Sequence, residues 1–550
     1  QVGVAERVRL LQPEMLTPER LRAATAHFIT HPPVPLWRPL AEDTSLFSRC
    51  VDALATLAPD ALPKTVTDLA DEVVELLLSR LCEMQLLTVE HLALFLPADR
   101  PPPDIRTLSF SPTSQGTGAS FSLRVDDSWL HMITALNNLS VVDLGACSRI
   151  TDTPLTPVIQ SSSRSLRMLN LDRCKHITSH SLAPLLQIES GRLQSVCVSG
   201  TRVSGETLAA LSECHTGLTS LDASGCQVTA SDLDALLNVQ KTRRETPGHL
   251  TLQALHLART KVGDAIAGLN VLADSLRELT LSFCPGITDW TVLSCLPHLT
   301  QLDAGLNPSF SDVAVENIAR CSGLHTLRLP KTEVGDGALS IALPPISASL
   351  VSLDLNRCPD VASLTWVRGL TNLTNLGLTY CNVNDDVATL FPTSLKEVNL
   401  CFAQGFGDRG IQTLAQGPWV FRSLDFGGAT VTDAAVPALV TLANKQHHVG
   451  IEPQRPASLQ PHSEAARLGS DGEGPALLSL GLWHTAVRPA TIGLLATAGM
   501  RQVCCALCVF DIVTFHAGCQ HELVGWNVCS APACWMLCCS CVCVCVCLCV

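Results

Sequence analysis

Leucines recur along most of this chain at the first, fourth and sixth positions of a short unit. In residues 276–296 the unit reads Leu276, Leu279, Leu281, then Cys284, then Ile287-Thr288-Asp289, then the apolar Leu293 and Leu296. Alternation about Leu279 and Leu281 predicts a short strand with one buried face. Thr288 and Asp289 are helix-capping types, so a helix is expected behind them. One such strand–turn–helix has nothing to cover its own apolar face, and it needs copies of itself on either side.

The copies are present. Units begin at Leu139, Leu166, Leu193, Leu218, Leu252, Leu276, Leu299, Leu324, Leu350, Leu373, Leu395, Phe421 and Leu477, mostly 22 to 27 residues apart. The eighth residue after the start is Cys in six units (Cys147, Cys174, Cys226, Cys284, Cys358, Cys381) and Thr in four (Thr201, Thr260, Thr332, Thr485). Both are small and able to hydrogen-bond a turning backbone. The pattern resembles the cysteine-containing leucine-rich repeat, LxxLxLxxCxxITDxxLxxL, over about two thirds of the chain. The resemblance implies an α/β fold, a right-handed leucine-rich-repeat solenoid or horseshoe over residues 139–500. Inward pairs such as Leu169/Leu171, Leu327/Leu329 and Leu353/Leu355 form its core, with softer layers at Val196/Val198, Ala223 and Ala304. Helix starts are expected at Thr151-Asp152, Ser311-Asp312 and Thr432-Asp433. Two insertions break the period. Residues 238–250, with Lys241, Arg243 and Arg244, read as a solvated basic loop or a nuclear-targeting element; residues 444–475 read as a disordered loop.

Ahead of the repeats lie a proline-containing arm (1–40), a small all-α region (41–97) and a connector (98–138), in which Ile105–Phe110 reads as a degenerate first repeat that caps the core. Leu46, Cys50, Leu54 and Leu57 fall on one helical face. With Ser45 they resemble an elongin-binding box. Two helices split near Thr88 follow in residues 71–95. Box, helices and repeats in this order resemble the Zyg/Zer family of cullin–RING substrate receptors. That resemblance implies an elongin-type adaptor bound at Leu46, Cys50 and Leu54, a cullin partner and a protein substrate on the repeats. Leu62-Pro63-x-x-Val66 is similar to the start of a cullin-contacting box, but Ala70 ends it weakly. The armadillo repeats of that family are not seen, and their degron binding is not carried over. The F-box/leucine-rich-repeat family has closely similar repeats; beyond Leu62-Pro63 no F-box follows. A scaffold without any ligase link is the third reading.

Composition narrows these readings. A net charge of −13 argues against nonspecific nucleic-acid binding. Residues 1–30 hold no apolar core of signal-peptide length, and the chain begins with Gln, so a missing N-terminal segment is expected. Of 26 cysteines, 13 lie between Cys50 and Cys401, mostly at the repeat position, where a buried thiol is expected rather than a metal or redox ladder. Parallel side chains disfavour disulfides for Cys147/Cys174 and Cys358/Cys381. Reduced thiols imply cytoplasm or nucleus. The other 13 cysteines crowd residues 501–550 and end in an alternating Cys-Val run, which is what translation of a TG-dinucleotide repeat produces. This tail reads as a gene-model end that packs poorly on the solenoid, with palmitoylation or zinc as alternatives. Its 16 apolar residues are short for a membrane span. No P-loop, GxSxG or HExxH motif is present, so neither an enzyme nor a cofactor or metal site is expected.

Outward positions of repeats eight to thirteen nominate a substrate surface on the concave face and its rim: Arg328 and Lys331, Asp354 and Arg357, Tyr380, Phe402, Trp483 and His484. Arg and large aromatics anchor interfaces most often, and Arg328, Lys331 and Arg357 favour an acidic or phosphorylated ligand.

Overall fold

Every strand of the repeats is three residues long, and its middle residue is the fourth position of the unit. The computed structural model describes residues 54–55, 70–96, 101–111, 119–188, 191–245, 251–445, 479–482, 484–487, 503–507 and 544–547. The chain divides into two units, residues 1–227 with 246–250, and residues 228–245 with 251–550.

In the first unit, β1 (Thr107–Ser109), β2 (Val141–Asp143), β3 (Met168–Asn170), β4 (Ser195–Cys197) and β5 (Ser220–Asp222) pair in parallel. The second unit continues the pattern with β6 (Ala254–His256), β7 (Glu278–Thr280), β8 (Gln301–Asp303), β9 (Thr326–Arg328) and β10 (Ser352–Asp354). It ends with β11 (Asn375–Gly377), β12 (Glu397–Asn399), β13 (Ser423–Asp425) and β14 (Ser479–Gly481), all parallel. Register puts like on like: Leu279 faces Leu255 and Leu302, and Leu353 faces Leu327 and Leu376. A slip of one residue would turn this leucine column to the open face, so burial fixes the register. Leu276, Leu279 and Leu281 are at most 1 % exposed, as are the softer Val196, Val198, Ala223 and Ala304. Each buried leucine contributes about 1.5–3 kcal/mol before entropy.

The return segment depends on repeat length. Units of 26 or 27 residues, such as those from Leu139, Leu324 and Leu395, contain α-helices (Asp152–Ser162, Asp336–Ala342, Asp408–Gln416). Units of 22 to 24 residues return through 3-10 turns instead (Gly263–Leu272, Thr291–Cys295, Thr365–Gly369, Asp385–Leu390). A 3-10 helix rises about 2.0 Å per residue against about 1.5 Å for an α-helix, so it covers the same path with fewer residues. The helix expected directly after Thr288-Asp289 is therefore a 3-10 turn starting at Thr291.

The helical region before the repeats works as a cap. Helix α1 (Asp71–Glu83) buries Val74, Leu77, Leu78 and Leu81. Its Asp71 and Glu75 carboxylates accept the backbone N–H groups of Asp104 (3.0 Å) and Thr107 (2.7 Å) beside edge strand β1. An open edge is thereby closed. Helix α2 (Val89–Phe95) begins where the sequence places a boundary: the Thr88 hydroxyl accepts from His91 N–H. Ile105–Phe110 does contain a strand, β1.

Three expectations are corrected. Residues 238–244 are not a loop but the end of a helix, Ala230–Arg244; Arg243 is buried and Arg244 pairs with Asp274. Three cations in the last turn complement the carbonyl end of that helix. Likewise the helix Val436–Lys445 runs past Asn444, while the rest of the 444–475 insertion lies outside the described residues. Finally, the tail is not wholly detached: Val503–Leu507 pairs in parallel with β14 and antiparallel with Val544–Cys547. Alternating Val and Cys suits a strand, and the edge of β14 offers unpaired backbone groups.

Candidate functional site

Where each strand ends, three sets of side chains shape the surface. The first is an Asx set at the last strand position. Asp143, Asn170, Asp222, Asp303, Asp354, Asn399 and Asp425 each accept the N–H two residues on, at 2.9–3.1 Å. These residues close the turn out of the strand. Burial pushes the carboxyls of Asp303 and Asp354 up, while turn N–H groups and the Arg328 charge pull them back.

The second set is the Cys/Thr position. Thr201 Oγ1 and Cys226 Sγ both donate to the Val198 carbonyl, at 2.6 and 3.0 Å. Thr260 and Cys284 share Leu257 O (2.6 and 3.1 Å), and Thr332 and Cys358 share Leu329 O (2.8 and 3.2 Å). Asn307 Nδ2 does the same for Leu281 O at 2.9 Å. Buried carbonyls are thus satisfied across neighbouring repeats, which is why a small donor is needed there. Burial pushes the thiols of Cys174, Cys321 and Cys381 up to about 12, so they remain protonated. The described cysteines are free, including both members of Cys147/Cys174 and Cys358/Cys381.

The third set lies one residue before the second. In all thirteen units the seventh residue after the start has positive φ: Ala146, Arg173, Arg259, Phe283, Leu306, Lys331, Arg357, Tyr380, Phe402 and His484, with glycine at 200, 225 and 428. An L-residue there costs about 1–2 kcal/mol. The conformation lets its N–H reach the next repeat: Arg357 N–H meets Thr379 O (2.6 Å), Tyr380 N–H meets Cys401 O (2.8 Å) and Phe402 N–H meets Gly427 O (2.7 Å). The side chains of these residues form a rim row beside the sheet. The three glycines in this column were a sequence signal for positive φ that leucine periodicity did not bring out.

A separate ladder ties the helical side. Asp127, Asp152, Asp264 and Asp408 each accept both N–H and O–H of the threonine one repeat on (Thr151, Thr178, Thr288, Thr432) at 2.5–2.9 Å. The Thr-Asp pair of the motif therefore joins repeats as well as capping helices.

The nominated substrate residues separate on this frame. Lys331, Arg357, Tyr380 and Phe402 all belong to the rim row, as does exposed His484. Tyr380 and Phe402 stack with centroids 4.3 Å apart and planes 12° apart, and the Arg357 guanidinium lies 4.9 Å from the Tyr380 centroid. Gly428 completes the column: a Cβ there would stand 2.4 Å from the Phe402 ring. Arg328 is elsewhere, on β9, and its charge bears on Asp303 and Asp354 at the same position of the flanking strands. Two exposed rim residues escaped the sequence reading, Phe283 (52 %) and Leu306 (37 %). Trp483, Leu46 and Cys50 lie outside the described residues; Leu54 is 7 % exposed.

Elsewhere a groove of about 310 Å³ separates α1 from β1, lined by Glu72, Glu75, Leu76, Cys82 and Leu108 among others. Among the described residues no three His, Cys, Asp or Glu side chains converge as metal ligands, and no helix is long and apolar enough to cross a membrane.

No family model matches the chain. Solved structures similar to it include an internalin of Listeria monocytogenes, with 21 % identity over 68 % of this chain and 92 % of that one, and a TM-score of 0.41. The yeast Rad7–Elc1 complex gives 14 % identity over 89 % of this chain and 94 % of that one, with a TM-score of 0.42. The ectodomain of the Arabidopsis receptor kinase HAESA gives 16 % identity over 55 % and 45 %, with a TM-score of 0.32. At these TM-scores the likenesses are partial. The fold stands on the molecule's own features: in-register parallel strands, buried 1-4-6 leucines, a Cys/Thr carbonyl ladder and a helical return. Each unit is an α/β leucine-rich-repeat solenoid.

Proposed function

We propose that this chain is a protein-interaction receptor of the repeat type, and that it serves as the substrate-recognition subunit of a cullin–RING ubiquitin ligase. The observation that carries the first part is the Arg357–Tyr380–Phe402 stack. The only tyrosine of the chain stands 45 % exposed between a guanidinium and a second ring. Such side chains anchor protein partners. The second part rests on the sequence alone, on Ser45, Leu46, Cys50 and Leu54 and their order before the helices and repeats. Free, protonated thiols fit a reducing compartment, cytoplasm or nucleus. A scaffold without a ligase link is favoured by one feature: α1 is already accounted for as the cap of β1.

Affinity purification with mass spectrometry separates these readings. Leu46→Ser with Cys50→Asp is expected to abolish recovery of an elongin-type adaptor and cullin while the repeats stay folded. Unchanged recovery removes the adaptor ridge; an F-box adaptor, or no cullin at all, removes the elongin reading. For the substrate side, Arg357→Ala with Tyr380→Ala is expected to change the partners found by proximity labelling. If the partners stay and a charge swap at Asp143 or Asp222 removes them, the binding surface lies in the first unit.

A further inference from the structure

We infer that the rim row of the second unit binds an extended acidic peptide whose facing side chains run apolar, acidic, acidic, aromatic. The inference rests on the reading of this unit as a protein-binding surface and narrows it to one column and one chemistry. Six consecutive units place Phe283, Leu306, Lys331, Arg357, Tyr380 and Phe402 in the same left-handed position. Each is tied by its backbone N–H to the next unit, at 2.6–2.9 Å. Neighbouring strands lie about 4.8 Å apart, so the six side chains span about 24 Å.

The row has a definite order. Phe283 and Leu306 are exposed and apolar at one end, and the Tyr380–Phe402 stack is aromatic at the other. Between them stand two exposed cations, Lys331 and Arg357. Among the described residues neither has a carboxylate within 4.0 Å; the same holds for Arg259 of this column, whereas Arg173, at the same position in the first unit, has Asp172 at 3.4 Å. None of the thirteen row positions is acidic, although the chain carries 50 Asp and Glu against 37 Lys and Arg. No acidic side chain of the column itself competes for these two cations. The missing counter-charge is therefore expected from a partner, and carboxylates on a peptide supply it between two apolar anchors.

Spacing sets the pattern. An extended peptide repeats its facing side chains about every 6.7 Å. A residue placed between Phe283 and Leu306 puts the next facing residues near Lys331, near Arg357, and between Tyr380 and Phe402. The probe is accordingly Leu-Ser-Glu-Ser-Glu-Ser-Phe, labelled with fluorescein and titrated with the full chain by fluorescence polarisation.

Saturable binding is expected. It should weaken at least tenfold when the two Glu exchange places with their neighbouring Ser, and at least tenfold in Lys331→Glu with Arg357→Glu. Arg277→Glu, a single charge reversal at the far end of β7 from Phe283, should leave it unchanged. Phe283→Ser with Leu306→Ser, both exposed and tolerable to folding, should also weaken it. Absence of binding, equal binding of the exchanged peptide, or an unchanged affinity in the Lys331/Arg357 variant overturns the inference. So does a phosphoserine version that binds more than tenfold better than the Glu peptide, since the site is then a phosphate site. If proximity-labelling partners are lost in the Arg357/Tyr380 variant while the peptide pattern makes no difference, protein binding stands and this inference alone falls.

Discussion

Asp336 concentrates more inter-repeat hydrogen bonding than any other carboxylate described above. Its Oδ2 accepts Ala362 N–H (2.9 Å) and Ser363 N–H (2.7 Å); its Oδ1 accepts Leu364 N–H (3.2 Å) and the Trp366 indole N–H (2.7 Å). Three successive backbone donors form a nest around one charge. Burial pushes the carboxyl up, but the N–H groups of Ser363, Ala362 and Leu364 and the Trp366 indole hold it below the usual carboxylate range. Consider Asp336→Ala. Ala362 and Ser363 are exposed, so water replaces the lost acceptor for them. Leu364 (0 % exposed) and Trp366 (7 %) are buried, and their donors are left unmet. At about 1–3 kcal/mol for each stranded donor, the loss is about 3 kcal/mol. Stability in a solenoid is a sum of local terms, so hydrogen exchange by mass spectrometry over residues 336–373 is the appropriate assay rather than a global melt. A loss of 3 kcal/mol corresponds to exchange about a hundredfold faster there. The depressed carboxyl contributes stability that is fully present above the unfolded pKa, about 3.9, and is lost as pH falls through the lower folded value. The gap between native and variant chains should therefore be constant from neutral pH to about pH 4 and narrow below it. An acceleration under threefold, or a gap that persists unchanged well below the unfolded pKa, refutes the reasoning.

Gly428→Ala places a Cβ 2.4 Å from the Phe402 ring at a residue with φ of +67°. It should cost about 1–2 kcal/mol from backbone strain. It should also unstack Phe402 from Tyr380, read as faster iodination of the single tyrosine. Thiol labelling at pH 8 should modify exposed Cys295 quickly and spare Cys174 and Cys381, whose burial raises them to about 12. Labelling of the two buried thiols at the rate of Cys295 would show that the repeats open far more readily than their packing implies.

The repeat itself was legible without coordinates, for a simple reason. Each unit must bury one face against its neighbours, so Leu276, Leu279 and Leu281 and their copies had to recur in step. Cys284 and its equivalents were legible as small donors for the same reason of position, and Thr88 as a cap by residue type. Tyr380, Phe402, Arg357 and Lys331 were picked out as side chains suited to an interface. What joined four of them into a column, added Phe283 and Leu306 and set Arg328 apart was the left-handed turn after each strand. That turn is imposed by closure of one repeat onto the next, through hydrogen bonds between residues about one repeat apart in sequence. The Asp264–Thr288 and Asp336–Trp366 contacts, 24 and 30 residues apart, have the same origin. So does the choice between α and 3-10 returns, which follows from how many residues remain to cover a fixed distance. Periodicity reports which face is buried; it carries no record of the sign of φ, or of which donor meets which acceptor once the repeats are stacked.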